Sequence, residues 1–177
     1  MEFRKDCLME IYTDSGDQFS VGRYLCESAC YVTFRNFDPA GREDGLLVLK
    51  RCFIKNVCYE TDYLKKMSLY RRYWEDNSSI AMLSKKIADE DVSDLGNLIL
   101  HACENREMVS LISIKDPDCI YTGFVRSFED GKVLLEEVSL ESAKTFETKT
   151  LLLKNIILLE CRTMEQKLLS YAHGHMA

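Results

Sequence analysis

The sequence runs through the same order of elements twice, and that repetition limits the fold more than any other feature. Each half reads strand, turn, strand, tight turn, strand, loop, strand, strand, helix. Slid along itself by 102 positions, the chain lays Glu27 on Glu129, Leu49 on Leu151, Ile54 on Ile156, Thr61 on Thr163, Lys65 on Lys167 and Ser68 on Ser170. Identity between the halves is low, so the order of elements and the positions of the loops carry the inference. Two copies are too few for a solenoid, so each is expected to close its own core.

In the first half, Cys7–Tyr12, Phe19–Leu25 and Tyr31–Phe37 are rich in aromatic and β-branched residues and read as strands. Thr13–Asp17 and Glu27–Ala29 supply polar turns between them. The charged stretch Asp38–Gly45 reads as a loop, and Leu46–Leu49 and Phe53–Tyr59 as two more strands. At Thr61 the period changes. Thr61 or Asp62 caps a helix whose apolar residues Tyr63, Met67, Tyr70 and Trp74 recur at helical spacing. Two further helical pieces are expected between the halves, one over Ile80–Ala88 and one carrying Val92, Leu95, Leu98, Ile99 and Ala102, capped by Asp91 or Ser93.

In the second half, Met108–Ile114, Ile120–Phe128 and Lys132–Val138 read as strands, separated by turns at Lys115–Asp118 and Glu129–Gly131. Ser139–Thr145 reads as a polar loop, Leu151–Leu153 and Ile156–Cys161 as apolar strands, and Thr163 as the cap of a last helix over Met164–His173. The run Gly123-Phe124-Val125-Arg126-Ser127-Phe128-Glu129-Asp130-Gly131-Lys132-Val133-Leu134-Leu135 resembles the central hairpin of Sm-like small barrels, including the bacterial host-factor type. Glycine allows a strand to bend, and Val125, Val133 and Leu135 alternate inward. The resemblance implies a small barrel of the Sm-like or SH3-like kind. It implies no RNA site, because the positions that would carry one read Leu134-Leu135-Glu136-Glu137 and Lys154-Asn155-Ile156.

The expected fold is therefore mainly β with helices (α+β): two tandem five-stranded Sm-like or SH3-like barrels, each followed by a helix. The divisions are 1–76 for the first barrel, 77–104 for a helical linker and 105–177 for the second barrel.

Charge and chemistry narrow the function. The net charge is −6, with −1 in residues 1–79 and −5 in the remainder, so neither half is a basic nucleic-acid-binding domain. No run reaches the roughly 18 apolar residues of a membrane span. The start of the chain lacks a signal peptide, and a cytoplasmic, reducing location is expected. The 8 cysteines include no CxxC pair. Cys26, Cys30, Cys52 and Cys58 could hold zinc only with irregular spacing, so they read as buried structural thiols, and no metal or other cofactor is expected. His101, His173 and His175 lie beside no nucleophile motif, and glycine-rich phosphate loops are absent, which argues against an enzyme and leaves no catalytic residue to name.

The most suggestive surface is the basic and aromatic run Lys65, Lys66, Tyr70, Arg71, Arg72, Tyr73 and Trp74. The leading reading is a non-enzymatic interaction or assembly protein with a protein partner or self-association. An RNA- or DNA-binding regulator acting through residues 63–74 is the alternative, because guanidinium and aromatic groups stack on bases. A small-ligand-binding protein or enzyme is the third.

Overall fold

The structure is a computed structural model, and residues 1–13, 18–77, 92 and 94–176 are described. The turn expected at Thr13–Asp17, apart from Thr13 at the end of the first strand, the helix expected over Ile80–Ala88 and the caps expected at Asp91 or Ser93 lie outside them.

Ten strands and three helices are present among the described residues. The first half holds β1 (Leu8–Thr13), β2 (Phe19–Glu27), β3 (Tyr31–Phe37), β4 (Glu43–Lys50), β5 (Ile54–Cys58) and α1 (Asp62–Asp76). α2 (Leu95–Asn105) follows. The second half holds β6 (Met108–Ser113), β7 (Asp116–Glu129), β8 (Lys132–Val138), β9 (Thr145–Leu152), β10 (Ile156–Cys161) and α3 (Met164–Met176). All ten strands form one antiparallel sheet in the order β5-β1-β2-β3-β4-β10-β6-β7-β8-β9.

This corrects the expectation of two closed barrels. The halves join edge to edge where β4 pairs with β10, with Leu46 opposite Cys161 and Leu49 opposite Leu158. The reason lies in β4 itself. Leu46, Leu47, Val48 and Leu49 are apolar on both faces and all buried. A strand with no solvated face must be covered on both sides and paired at its edge. The helical linker is corrected as well. α2 packs on β7, and its Leu95, Leu98, Ile99 and Ala102 lie in the core with Val109, Val125 and Leu135. Asp94 caps it, with Oδ1 accepting from the Asn97 N–H at 3.1 Å.

Within the sheet the two halves present their strands in matching order, β5-β1-β2-β3-β4 and β10-β6-β7-β8-β9. Short 3₁₀ turns at Arg51–Phe53 and Leu153–Asn155 precede the last strand of each. Left-handed backbone recurs in step too: Asp6 (φ 61°) and Arg106 (φ 51°) before the first strand, and Glu60 (φ 60°) and Arg162 (φ 64°) before the last helix.

Some boundaries differ from expectation. The chain turns at residues 114–115, so β7 begins at Asp116, inside the turn expected over Lys115–Asp118, and β9 begins at Thr145, six residues before the predicted strand. The cysteines also differ: only Cys161 is buried, while Cys30 and Cys52 are exposed and Cys26 and Cys58 half-buried. The core is filled by branched aliphatics and Phe; Cys30 lies in the bend after β2 and Cys52 in the short 3₁₀ turn before β5, while Cys26 packs at the margin of the core.

Gly123 shows how tightly the second half is bent. A Cβ there would lie 2.0 Å from the Glu136 carbonyl oxygen on β8. Gly123→Ala should destabilise the protein by about 3 kcal/mol through forced backbone displacement. Gly174→Ala, with nothing within 4 Å in α3, should stabilise by up to about 1 kcal/mol. Urea denaturation of the two variants checks the contrast.

Candidate functional site

The run singled out in the sequence lies on α1. Thr61 caps this helix, Oγ1 accepting from the Leu64 N–H at 3.2 Å, and is itself bonded to the buried Glu10 of β1. Leu64 and Met67 pack on Val21 and Phe37 of the sheet. Trp74 reaches the 38–42 loop, donating from Nε1 to the Ala40 carbonyl at 2.9 Å. The loop is held by Asp38, whose Oδ1 accepts from the N–H groups of Ala40 and Arg42 at 2.9 Å each.

The cations on α1 are largely spoken for. Lys65 pairs with Asp62 at 2.8 Å, Arg71 with Glu75 at 3.6 Å and Arg72 with Asp76 at 3.9 Å. Lys66 sits over the Tyr63 ring at 4.1 Å. Arg71 is half-buried against the Phe37 ring at 4.8 Å, and burial together with Arg23 pushes its guanidinium below its ordinary value. Tyr70 and Tyr73 stay exposed. The helix therefore brings the seven residues onto one element but splits them, with Arg71 and Trp74 holding the fold and Tyr70 and Tyr73 facing water.

Sequence reading missed three other places. The first is a groove of about 370 Å³ beside β9, lined by Ile120, Thr122, Val138, Leu140 and Phe146. Ile120, Leu140 and Phe146 are each more than 60% exposed. Among the described residues β9 pairs with β8 on one side only and forms one end of the sheet.

The second is a polar group around Glu137 on β8. Glu137 is 6% exposed, and its Oε1 meets no hydrogen-bond partner. Glu147 stands directly opposite on β9, with Lys149 bound to Glu147 at 3.1 Å. Burial pushes the Glu137 carboxyl above its ordinary value, Lys149 pulls it down and Glu147 adds to the rise. Nearby, the Tyr121 hydroxyl donates to Asp116 at 2.7 Å, and this bond and burial push the phenol up to about 12.

The third is a cleft of about 370 Å³ between α3 and the start of β6, lined by Arg106, Glu107, Arg162, Lys167, Ser170 and Tyr171. Arg162 Nε donates to Glu107 at 3.1 Å, and its Nη2 lies 3.1 Å from His101 Nδ1. The cleft residues come from segments more than 50 positions apart, which hides them from any local motif search. The comparison of halves sets Glu60 against Arg162, a signal the sequence carries, whereas Asp6 is matched to Arg106 only by the left-handed backbone before β1 and β6.

Among the described residues no group of three His, Cys, Asp or Glu side chains is placed to hold a metal ion. No described helix is long and apolar enough to cross a membrane. No protein-family model, curated protein or solved structure matches the chain.

The Glu137 environment makes a pH prediction. Its folded-state pKa lies above the unfolded one, so the folded protein holds more protons in the window between them. The stability Glu137 contributes is full below the ordinary carboxylate value and falls as pH rises through the raised one. Urea midpoints from pH 4 to 8 should show this downward component in the native chain and lose it in Glu137→Gln.

Proposed function

We propose that the protein is a non-enzymatic interaction module that docks an extended segment of another protein along β9. The observation that carries this reading is the pairing of a free sheet edge with an adjoining apolar groove. An open edge offers unpaired backbone groups to an incoming strand, and pockets beside it select alternate side chains. Ile120, Leu140 and Phe146 supply such a pocket, and Glu141 and Glu147 flank it with negative charge. The favoured segment is an extended strand with an apolar anchor and a basic neighbour.

The β4–β10 joint argues for a foreign segment over a second copy. Gly45 of β4 lies so close to β10 that a Cβ would stand 2.3 Å from the Cys161 carbonyl oxygen. At the matching place β9 carries Glu147, and Thr148, Lys149 and Thr150 stand where β4 has Leu46, Leu47 and Val48. A free edge with charge and threonine resists joining its own kind. Nucleic-acid binding through α1 is the weaker reading, because Lys65, Arg71 and Arg72 each pair with an acid on the same helix.

Selection of random peptides displayed on phage against the immobilised chain tests the reading. Enriched peptides should alternate apolar and polar residues, carry Lys or Arg, and lose at least about tenfold in affinity against Phe146→Ser, the equivalent of about 1.4 kcal/mol. Phe146 is exposed, so the variant keeps its fold. Absence of enrichment, or peptides indifferent to Phe146→Ser, would sink the proposal.

A further inference from the structure

The cationic cleft has a control inside the same molecule. The first half builds the matching backbone with other residues. Asp6 occupies the left-handed position that Arg106 occupies before β6, and Glu60 the one that Arg162 occupies before α3. Left-handed backbone suits Asp better than Arg, because the short carboxylate bonds locally. The left-handed backbone therefore has no need of arginine at either point, and has a better residue for one of them in hand.

A third difference runs the same way. Lys65 of α1 is held by Asp62 at 2.8 Å. Its counterpart Lys167 on α3 has Met164 in the place of that acid, so the ammonium is left without an ionic partner among the described residues. Arg106 is likewise unpaired among them. At these two left-handed positions the charge is acidic in the first half and basic in the second, with Glu107 the one acid that lines the cleft. This reversal occurs in the more acidic half of an acidic chain.

The anion-binding capacity of the nearby helix end is already taken. Thr163 Oγ1 accepts from the Gln166 N–H at 3.2 Å, Gln166 Oε1 accepts from the Thr163 N–H at 3.1 Å, and Asp44 Oδ1 accepts from the Met164 N–H at 2.7 Å. The side chains, and not the helix terminus, are what the cleft offers. The guanidinium of Arg106 and the ammonium of Lys167, with Arg162 held beside them by Glu107, suit a phosphate group, whose oxygens take forked donors from arginine and a point charge from lysine. Tyr171 stands exposed at the rim, with Leu69 at its place in the first half. A volume of about 370 Å³ fits a small molecule.

We propose that the cleft formed by Arg106, Arg162, Lys167 and Tyr171 binds the phosphate monoester group of a small phosphorylated ligand. The phosphate lies between Arg106 and Lys167, with Arg162 behind it, fixed by Glu107 and His101. A ring on the ligand rests against Tyr171. The site is independent of the β9 groove, with which it shares no lining residue.

Titration of the full chain with inorganic phosphate, with a nucleoside monophosphate and with single-stranded RNA, followed by amide NMR shifts, tests the proposal. Phosphate and the monophosphate should both move the resonances of residues 106–108, 162 and 167–171. Arg106→Asp and Lys167→Gln should each weaken binding by about tenfold or more. Arg106→Asp installs the residue of the first half, so its melting temperature should stay level or rise while binding falls. A merely structural arginine would show the opposite. Tyr171→Leu should remove the advantage of the monophosphate over free phosphate. Binding of RNA without binding of either small probe, shifts confined to another surface, or full affinity in Arg106→Asp would overturn the assignment.

Discussion

The joint between β4 and β10 holds the rest of the molecule in place. Each face of β4 serves a different core. Leu47 and Leu49 pack with Met9, Phe34 and Ile54 of the first half. Leu46 and Val48 pack with α2, Val109 and Leu159 of the second. Fully burying one such aliphatic side chain contributes roughly 1.5–3 kcal/mol, so the four residues of this one strand commit both halves to a single body. Polar bonds across the joint then fix its register. The Tyr31 hydroxyl donates toward the carbonyls of Leu153 and Ile156, at 3.1 and 2.9 Å, and Thr33 Oγ1 donates to the Val92 carbonyl at 2.8 Å.

The helices are pinned to the sheet by polar contacts that differ in chemistry but not in place. In the first half the buried Glu10 of β1 meets the capping Thr61 and takes a 2.9 Å bond from the Tyr12 hydroxyl. In the second, Ser110 of β6 accepts from Gln166 Nε2 at 3.0 Å and shares a 2.9 Å bond with Thr122, while Gln166 closes the capping box on Thr163. A buried carboxylate does in one half what a serine and an amide do in the other. Buried polar groups must find partners, but the identity of the partners is free to drift. Such drift explains how the halves keep one topology at low identity.

Much of the local structure was legible because it rests on short-range chemistry. Thr61 and Thr163 announce their helices through capping, and Asp130-Gly131 announces the hairpin through its turn residues. β9 was missed because Thr145–Thr150 alternates little and is almost wholly solvated, as an edge strand is permitted to be. Closure into barrels was the wrong inference, because whether a sheet closes or joins a neighbour depends on which edges meet. The apolar Leu46–Leu49 run was visible, and its meaning was not: burial on both faces signalled a central strand of a larger sheet. The candidate sites were hardly legible. The α1 run was conspicuous as composition, yet Lys65, Arg71 and Arg72 are neutralised by Asp62, Glu75 and Asp76 one turn away and Lys66 rests on Tyr63.

The cleft was invisible for a further reason, which also ties it to the joint. Arg162 stands at the end of β10, where Gly45 presses so close that a Cβ would lie 2.7 Å from the Arg162 carbonyl carbon and 2.8 Å from the Thr163 nitrogen. Asp44, the neighbour of Gly45, caps α3 from the other half of the sheet. The first half therefore fixes the backbone from which Arg162 projects. Its own equivalent, Glu60, follows β5 at the other end of the sheet and among the described residues pairs with the exposed Arg4 alone, at 3.4 Å. A charged side chain that must meet a ligand in a set geometry gains from a backbone clamped on both sides. Of the two matching positions, the clamped one carries the half-buried, doubly bonded arginine, and the unclamped one carries a solvated surface pair.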